Sequence, residues 1–564
     1  MASEILTPLS VWGSLKIEQT PQATTIGEYA DGNVILERMR IDGQQVGDER
    51  VKIYAVLARN KKKDSQPAIL ILQKLSDGAD ESLATYCAKK GYCAFVVNVG
   101  GDDGVNTNFT LYPEELAYAD YKRAKEQIDD IFCEDVTKTC WYQWGVTARY
   151  ALKYLEAQPF VSKIGAVGID DSATVLWNMT ATENFDSLAF IMNAGWRAYK
   201  GNFKFSGKVD EEFSDQKIKY LAGIEPQAYA NHIKVPTLIL GATNNKDFDI
   251  DRIHDTYARI TSKVYSAISY TVGGINGVDY KALVNLTNFF KCTLTSKAEN
   301  PCAKLPSDVS IKCDLVNKKM RVSVTPDKKN LKEISVFVAE EKLDPTLRQW
   351  KKITEYKVDE DVYEFEYLPN QNAGVVFFFA NAEYKNGFTV NSNVVCKKFE
   401  SSEVLATPKN KIVYSSREEN GEWAFYPSTN NAKKPSGLRL DDKSQLFVKE
   451  GAMEIDGITC SSGLVSFSIA QEKNKPALDG ILLFDAYIKD GGNVTVKLIA
   501  DYFGNKVEYL AKAQVSGGEV WHNVKLPLSN FKTAEGMSIR SVEKIQALEI
   551  TSENEYLINN VLWV

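Results

Sequence analysis

The chain has 564 residues, of which 44% are hydrophobic and 25% charged, and its formal net charge is −7. These proportions are ordinary for globular proteins, and the length is typical of roughly three or four domains. The negative net charge argues against nucleic acid as a partner. No run of about 18 apolar residues occurs, which argues against a transmembrane helix.

The nine cysteines are scattered without CxxC pairs, which favours reduced, mostly buried thiols. The N-terminus, MASEILTPLSVWG, lacks the basic and apolar regions of a signal peptide. We therefore predict a cytoplasmic protein, although a secreted chain whose leader has been removed would look the same.

The first region alternates strand and helix signals. Apolar runs predict buried strands at 68–73, 92–99, 163–169, 187–194 and 237–242. Helical patterns lie between and after them, notably at 81–91, 146–158 and 280–291. Continuous apolar strands that alternate with helices are typical of a mostly parallel sheet covered on both faces. We predict a doubly wound α/β domain over residues 1–295.

Two all-β domains are predicted to follow. The polar, proline-containing segment 293–308 has the composition of a linker. Over 305–400, short alternating runs recur at about ten-residue spacing, which predicts an immunoglobulin-like β-sandwich. Residues 405–564 show a third pattern of alternating runs, which predicts a jelly-roll sandwich.

The segment 164–175, IGAVGIDDSATV, combines an apolar strand, a glycine, a sharp turn and a helical pattern. This is the frame of a nucleophile elbow, which reads G-x-S-x-G with serine at its tip. In the frame that begins at Gly168, the tip position holds Asp170, and Ser172 follows two residues later. The chain is therefore either an enzyme with an unusual nucleophile or a hydrolase fold without its chemistry.

Residues 1–295 resemble the α/β-hydrolase superfamily, and within it bacterial acetylxylan esterase and dienelactone hydrolase relatives. The resemblance is carried by LYPEELAYADY (111–121), TCWYQWGVTARYAL (139–152), KIGAVGI (163–169), NAGWRAY (193–199) and the segment 229–252. It implies a serine nucleophile, a histidine base and an aspartate that orients the histidine.

All three triad positions depart from the family pattern. The family serine corresponds to Asp170, the family acid to Asn245, and the family histidine to Asn276 in TVGGINGVDY. The H-G-G-like oxyanion segment of relatives corresponds to QKLSDG at 73–78. The resemblance thus implies a degenerate triad with no intact catalytic residue.

Asp170 has two interpretations. An aspartyl-ester mechanism would still need a histidine to activate water. The alternative, which we favour, is that Asp170 and Asp171 cap the following helix, because carboxylates suit a helix N-terminus. For Ser172 we expect a capping or packing role.

The sequence contains only three histidines, His232, His254 and His522. Asp251 and Asp255 flank His254 on a predicted helix and would favour its protonated form, although a surface helix pair is the simpler interpretation. We expect His232 to be a structural hydrogen-bonding residue, and His522 falls in the third domain.

The segment KDFDID (246–251) places Asp247, Asp249 and Asp251 at alternating positions. This spacing is similar to that of a calcium loop, but the glycine and the distal glutamate of such loops are missing. We interpret it as a solvated acidic loop. No nucleotide motif is present, and we predict neither a metal nor a cofactor.

Several aromatic side chains are candidate sugar platforms. Trp141 and Trp144 can stack on sugars, although packing under the cleft is the simpler use. The segment from Trp521 to Phe531 and the terminal INNV resemble galactose-binding-like carbohydrate-binding modules. In the third domain the candidate platforms are Trp423, Tyr426, Tyr502 and Trp521. Asn559 and Asn560 replace an Asp-Asn pair that often helps to hold calcium in that fold.

Two functions stay open at this point. We favour a non-catalytic pseudo-hydrolase that acts as a binding or assembly component, with a glycan or protein ligand and with self-association as a further expectation. The alternative is an active carbohydrate esterase with a rearranged site.

Overall fold

The computed structural model describes residues 6–102, 104, 106–208, 214–261, 265–275, 277–295, 302, 305–370, 373–400, 412–418, 420–428 and 445–564. Asn276, the predicted counterpart of the family histidine, lies outside these residues.

A nine-stranded sheet forms the centre of the N-terminal region. Its strands are β1 (Ala23–Asp31), β2 (Val34–Val46), β3 (Glu49–Asn60), β4 (Gln66–Leu72), β5 (Cys93–Asn98), β6 (Val161–Ile169), β7 (Ser187–Ile191), β8 (Thr237–Ala242) and β9 (Ser266–Thr271). They are ordered β1-β2-β3-β5-β4-β6-β7-β8-β9 across the sheet. Strands β4 to β9 are parallel to their neighbours, whereas β1, β2 and β3 pair antiparallel and β3 joins β5 antiparallel.

Helices cover both faces of this sheet. They are α1 (Pro8–Trp12), α2 (Glu81–Lys89), α3 (Tyr121–Asp129), α4 (Cys140–Glu156), α5 (Asp171–Met179), α6 (Asp215–Gly223), α7 (Pro226–Tyr229), α8 (Ile253–Tyr257) and α9 (Tyr280–Thr295). Helices α4 and α5 bury their apolar side chains in one core, and α2 and α9 bury theirs in a second core on the opposite face. The predicted doubly wound architecture is confirmed.

Helix α4 extends further toward the N-terminus than the helical pattern in the sequence. Most of the helical pattern at 146–158 falls within a helix that begins at Cys140. Thr139 is its N-cap, and its hydroxyl accepts the backbone N–H of Tyr142 at 3.2 Å. This side-chain bond satisfies a donor that would otherwise be unpaired at the helix end. The aromatic-rich segment before 146 is therefore helical.

The second region is built from two antiparallel sheets. Its strands are β10 (Ser310–Val316), β11 (Lys319–Thr325), β12 (Leu331–Glu340), β13 (Lys351–Ile353), β14 (Lys357–Asp359), β15 (Val362–Tyr367), β16 (Val375–Tyr384), β17 (Thr389–Asn391) and β18 (Val395–Lys398). One sheet has the order β10-β11-β15-β14, and the other has the order β13-β12-β16-β17 with β18 also on β16.

The third region also contains two antiparallel sheets. Its strands are β19 (Ile412–Tyr414), β20 (Tyr426–Pro427), β21 (Leu446–Glu450), β22 (Asp456–Cys460), β23 (Leu464–Ser466), β24 (Ile481–Tyr487), β25 (Gly492–Ala500), β26 (Val507–Val515), β27 (His522–Pro527), β28 (Ile545–Ser552) and β29 (Leu557–Trp563). The sheet orders are β21-β22-β29-β24-β27, with β19 on β29, and β20-β23-β28-β25-β26. Two β-sandwich regions therefore follow the α/β region, as predicted, while the domain boundaries stay a prediction.

The second region covers the β9 edge of the nine-stranded sheet. The side-chain oxygen of Asn391 accepts the backbone N–H of Tyr270 at 2.8 Å. Asn285 on α9 accepts the backbone N–H of Thr389 at 2.8 Å. Side-chain and backbone groups of β17 thus satisfy polar groups along this edge, which limits further strand pairing there.

Within the described ranges, no helix combines the length and the apolar character that crossing a membrane requires.

Candidate functional site

The turn between β6 and α5 has the geometry of a nucleophile elbow. Asp170 at its tip has φ 57° and ψ −128°, a conformation that costs a non-glycine residue about 1–3 kcal/mol. Gly168 leaves the room that this turn needs, because a Cβ there would lie 2.6 Å from the Cα of Ala173. The chain has therefore kept the sharp strand-to-helix turn that presents a nucleophile in hydrolases, with a carboxylate at its tip.

Asp170 is held by a cation from the neighbouring strand. Lys74 follows β4 and Asp170 follows β6, and these strands are adjacent where the strand order reverses. Ligands of open α/β sheets bind at this switch point. Here the Nζ of Lys74 lies 2.8 Å from the Oδ2 of Asp170. Burial lowers the pKa of Lys74, but the charge and hydrogen bond of Asp170, together with the charges of Asp77 and Asp171, outweigh this effect and the net shift is upward.

The predicted capping role of Asp170 is wrong. Asp170 is the N-cap residue of α5 but makes no side-chain capping bond, because its carboxylate pairs with Lys74. The carboxylate of Asp171 forms an ion pair with Arg197. Burial raises the pKa of Asp171, and the charge of Arg197 opposes that shift. Each carboxylate at the elbow thus has its own cation.

Ser172 takes no part in an open site. Its side chain is fully buried, and its Oγ donates a hydrogen bond to the carbonyl of Gln73 at 2.5 Å. Because Gln73 begins the predicted oxyanion segment, this bond ties that segment to α5. The expected packing role is confirmed, and the hydroxyl is not available as a displaced nucleophile.

Asn245, the predicted counterpart of the family acid, forms a hydrogen bond at each end of its amide. Asn245 follows β8, and its Nδ2 donates to the carbonyl of Ile275 at 2.7 Å. Its Oδ1 accepts the backbone N–H of Asp247 at 2.8 Å. A neutral amide that is bonded at both ends cannot stabilise an imidazolium as a carboxylate does.

The acidic loop after β8 is only partly solvated, contrary to the prediction, because Asp247 and Asp249 are partly exposed and Asp251 is buried. The carboxylate of Asp251 is buried and receives two bonds, of 2.5 and 2.7 Å, from the guanidinium of Arg348 in the second region. Burial and the neighbouring Asp251 raise the pKa of Asp249 to about 6. Asn244 adds two hydrogen bonds, to the carbonyls of Thr346 at 2.9 Å and Arg348 at 2.8 Å.

Little space is left above this part of the sheet. The loops 195–203 and 245–249 enclose a cavity of about 70 Å³, whose wall includes Asp344, Pro345 and Thr346 from the second region. Small-molecule sites usually have volumes of about 300–1,000 Å³. Residues of the second region thus form part of the wall of this small cavity.

The loop after β9 packs against the third region. Gly273 has φ +71°, and a Cβ there would lie 2.1 Å from the Cδ1 of Tyr426. Ile275 forms a buried cluster with Tyr426, Val465 and Phe467. The loop after β9 thus serves as a contact between the first and third regions.

The three histidines lie on other elements. His232 ends a short 3-10 turn, His254 lies on α8 and His522 begins β27. The favoured interpretation, a surface helix pair, is wrong because the Nε2 of His254 is buried. The protonated form is disfavoured as well, since burial and the nearby Lys204 lower the pKa of His254 to about 3. Asp255 is engaged by Lys204, whose Nζ lies 2.7 Å from its Oδ1.

The aromatic candidates divide by burial. Trp141 and Trp144 are 1% and 0% exposed, and the Nε1 of Trp144 donates to the carbonyl of Ala119 at 2.7 Å. Their burial favours the packing interpretation and leaves no ring face for a sugar. Tyr426 and Tyr502 are likewise buried. Trp423 is half-buried and packs edge-on against Phe337, with ring centroids 5.0 Å apart, and Trp521 is half-buried.

The strand order and the strained turn after β6 identify the N-terminal region as an α/β-hydrolase fold. Among solved structures, an acetyl xylan esterase from a Thermoanaerobacterium species is 13% identical, with a TM-score of 0.35, over 47% of this chain and 85% of its own. An acetyl xylan esterase from a Paenibacillus species is 12% identical, with a TM-score of 0.35, over the same shares.

A cold-adapted esterase from an Arctic intertidal metagenomic library is 10% identical, with a TM-score of 0.33, over 48% of this chain and 99% of its own. No protein-family model and no curated protein matches the sequence.

Proposed function

We propose that this chain is a non-catalytic pseudo-hydrolase that acts as a binding or assembly component, with a glycan as the favoured ligand. The observation that carries the proposal is the elbow itself. Its tip holds Asp170, whose carboxylate is paired with Lys74 at 2.8 Å. A paired carboxylate with no histidine beside it in the family positions supports no acyl-enzyme cycle.

The surroundings of the elbow support the same proposal. Acyl transfer needs a general base to activate the nucleophile and then water. The acid position is the amide of Asn245, and the loop that follows β9 packs on Tyr426 of the third region. Two loops that would serve catalysis in relatives are thus used for contacts between regions.

These contacts support an assembly role. Arg348 of the second region reaches Asp251 of the first. The hydroxyl of Tyr426 in the third region accepts the backbone N–H of Trp350 in the second at 2.8 Å. The hydrolase fold therefore contacts both β-sandwich regions, and the surfaces of these regions outside the contacts are the proposed binding surfaces.

Hydrolysis of p-nitrophenyl acetate tests the proposal. The purified protein is compared with an equal concentration of albumin, with Asp170→Asn, and with Asp48→Asn, which changes an exposed carboxylate in the turn between β2 and β3. We expect all four rates to be the same. Turnover well above albumin that Asp170→Asn abolishes and Asp48→Asn preserves would contradict the proposal and favour the esterase alternative.

A further inference from the structure

The two sheets of the third region differ in what covers their outer faces. On one sheet, Val465, Ile499 and Ala547 lie outside the core of the sandwich and pack with Ile275 and Leu347 of the other regions. This face is consumed by contacts within the chain. The outer face of the other sheet is open at Asn523 and Lys525 of β27, which are exposed.

Tyr487 and Trp521 form an aromatic shelf on that open face. They stand beside each other on β24 and at the start of β27, with ring centroids 5.7 Å apart. The indole Nε1 of Trp521 donates to the carbonyl of Ala452 at 3.0 Å. A Cβ at Gly451 or Gly457 would lie 2.7 or 2.6 Å from the indole. Two glycines and a hydrogen bond thus fix the ring in place while part of it stays exposed.

A row of polar side chains lies next to the aromatic shelf. Asp485 and Asn523 are opposite each other on β24 and β27. They lie two residues along the strands from Tyr487 and Trp521, on the same face, which is a spacing of about 7 Å. The carboxylate of Asp485 accepts bonds from the Nδ2 of Asn523 at 3.1 Å and of Asn560 at 2.8 Å. Ser415 donates to the Oδ1 of Asn560 at 3.0 Å. This polar row is therefore held in position before any ligand arrives.

The aromatic shelf and the polar row together determine which kind of ligand this face can bind. Aromatic rings offer large apolar faces, which match the C–H faces of a pyranose ring. Planar amide and carboxylate groups donate to and accept from hydroxyls in fixed directions. The hairpin beside the shelf carries Glu450, Glu454 and Asp456. This negative charge disfavours anionic glycans.

We infer that the aromatic shelf and the polar row bind a neutral polysaccharide, with one sugar stacked on Trp521 and Tyr487 and the next reaching Asp485 and Asn523. The inference rests on the proposed function, because it gives the binding role a ligand and a surface. The elbow takes no part in it.

Affinity electrophoresis tests the inference. The full chain is run through native gels that contain arabinoxylan, mixed-linkage β-glucan or galactomannan, and through gels with anionic polygalacturonate. We expect retardation by at least one of the three neutral polymers and none by polygalacturonate. Absence of retardation by all three neutral polymers overturns the inference.

Matched variants assign the binding to this face. Trp521→Ala and Tyr487→Ala should each weaken binding at least 10-fold, whereas Tyr356→Ala, at a tyrosine of the second region that is 44% exposed, should leave it unchanged. Asn523→Ala changes an exposed residue and should weaken binding without affecting folding. Undiminished retardation in the shelf variants overturns the inference.

Two further measurements separate the remaining outcomes. Met453 and Val520 beside the shelf are 81% and 44% exposed and would also suit a protein surface. Loss of self-association in the shelf variants by light scattering, without any polysaccharide binding, would contradict the inference. Ester hydrolysis through Asp170 with intact polysaccharide binding would refute only the proposed function, and an inert chain that binds no polymer would refute only the inference.

Discussion

Arg348 and Asp251 form a bidentate ion pair between the second and first regions, with N–O distances of 2.5 and 2.7 Å and side chains that are 0% and 1% exposed. The guanidinium also donates to the carbonyls of Lys342 and Leu343 and lies 3.5 Å from the ring centroid of Phe377. Four of its five N–H groups therefore have protein acceptors, and the side chain is buried. The loop that follows β8 is therefore an anchor for the second region.

Removal of one partner should be costly. Arg348→Met leaves the carboxylate of Asp251 buried without a counter-charge, and such a change typically costs about 3–5 kcal/mol. We expect the free energy of unfolding from urea denaturation, followed by tryptophan fluorescence, to fall by this amount. The double change Arg348→Met with Asp251→Leu should recover part of the loss, because an apolar pair replaces a buried ion pair at little cost.

A surface ion pair provides the control for this series. Arg38 and Glu81 are bonded at 2.6 Å, but their side chains are 42% and 35% exposed. Arg38→Met should therefore cost at most about 1 kcal/mol. Equal losses for Arg38→Met and Arg348→Met would contradict the account of the buried anchor.

Asp170 should be better replaced by glycine than by alanine. Both variants lose the ion pair with Lys74, so their difference reports the backbone strain at φ 57°. Glycine enters this region freely, whereas a residue with a Cβ pays about 1–3 kcal/mol. After the greater unfolded-state entropy of glycine is allowed for, we expect Asp170→Gly to be more stable than Asp170→Ala by about 1 kcal/mol.

The same pair of changes at Asp186, which has no positive φ, supplies the control. There Ala should be at least as stable as Gly, because glycine only adds disorder to the unfolded chain. If Asp170 and Asp186 show the same order, the elbow does not store strain.

Much of the N-terminal fold could be predicted because buried parallel strands are continuous apolar runs. TLILGA at 237–242 coincides with β8 (Thr237–Ala242). The start of α4 could not be predicted in this way, since its first turn is set by the hydroxyl of Thr139 and not by apolar periodicity. Apolar sequence patterns therefore predict which strands are buried, but they do not predict which side chain caps a helix.

The candidate site was predictable only in part. The elbow frame placed Asp170 correctly, because the strand, turn and helix that build it are contiguous. The cation that pairs with a buried carboxylate could not be predicted from the sequence, because the two residues can be far apart along the chain. Asp251 and Arg348, for example, are 97 residues apart and belong to different regions. Two adjacent carboxylates at the end of a buried strand were the available signal, since buried charges need partners.

His254 should make stability depend on pH. Burial and Lys204 lower the pKa of His254 from 6.5 to about 3. Between these values the unfolded chain binds a proton that the folded chain does not, so stability is complete above pH 6.5 and falls as the pH decreases. Asp249, whose pKa is raised to about 6, acts in the opposite direction between pH 3.8 and 6.

The contribution of His254 to the pH dependence can be separated from that of Asp249 by comparing the wild-type chain with a variant that lacks the histidine. The free energy of unfolding of the wild-type chain minus that of His254→Gln should fall between pH 6.5 and 4, with a slope that approaches about 1.4 kcal/mol per pH unit. His232→Gln is the control for the loss of a histidine as such; burial and the charge of Lys234 lower the pKa of His232 as well, so its difference curve has the same sign. If wild type and His254→Gln run parallel over this range in urea denaturation, His254 is protonated in the folded chain and the burial of its imidazole is incorrect.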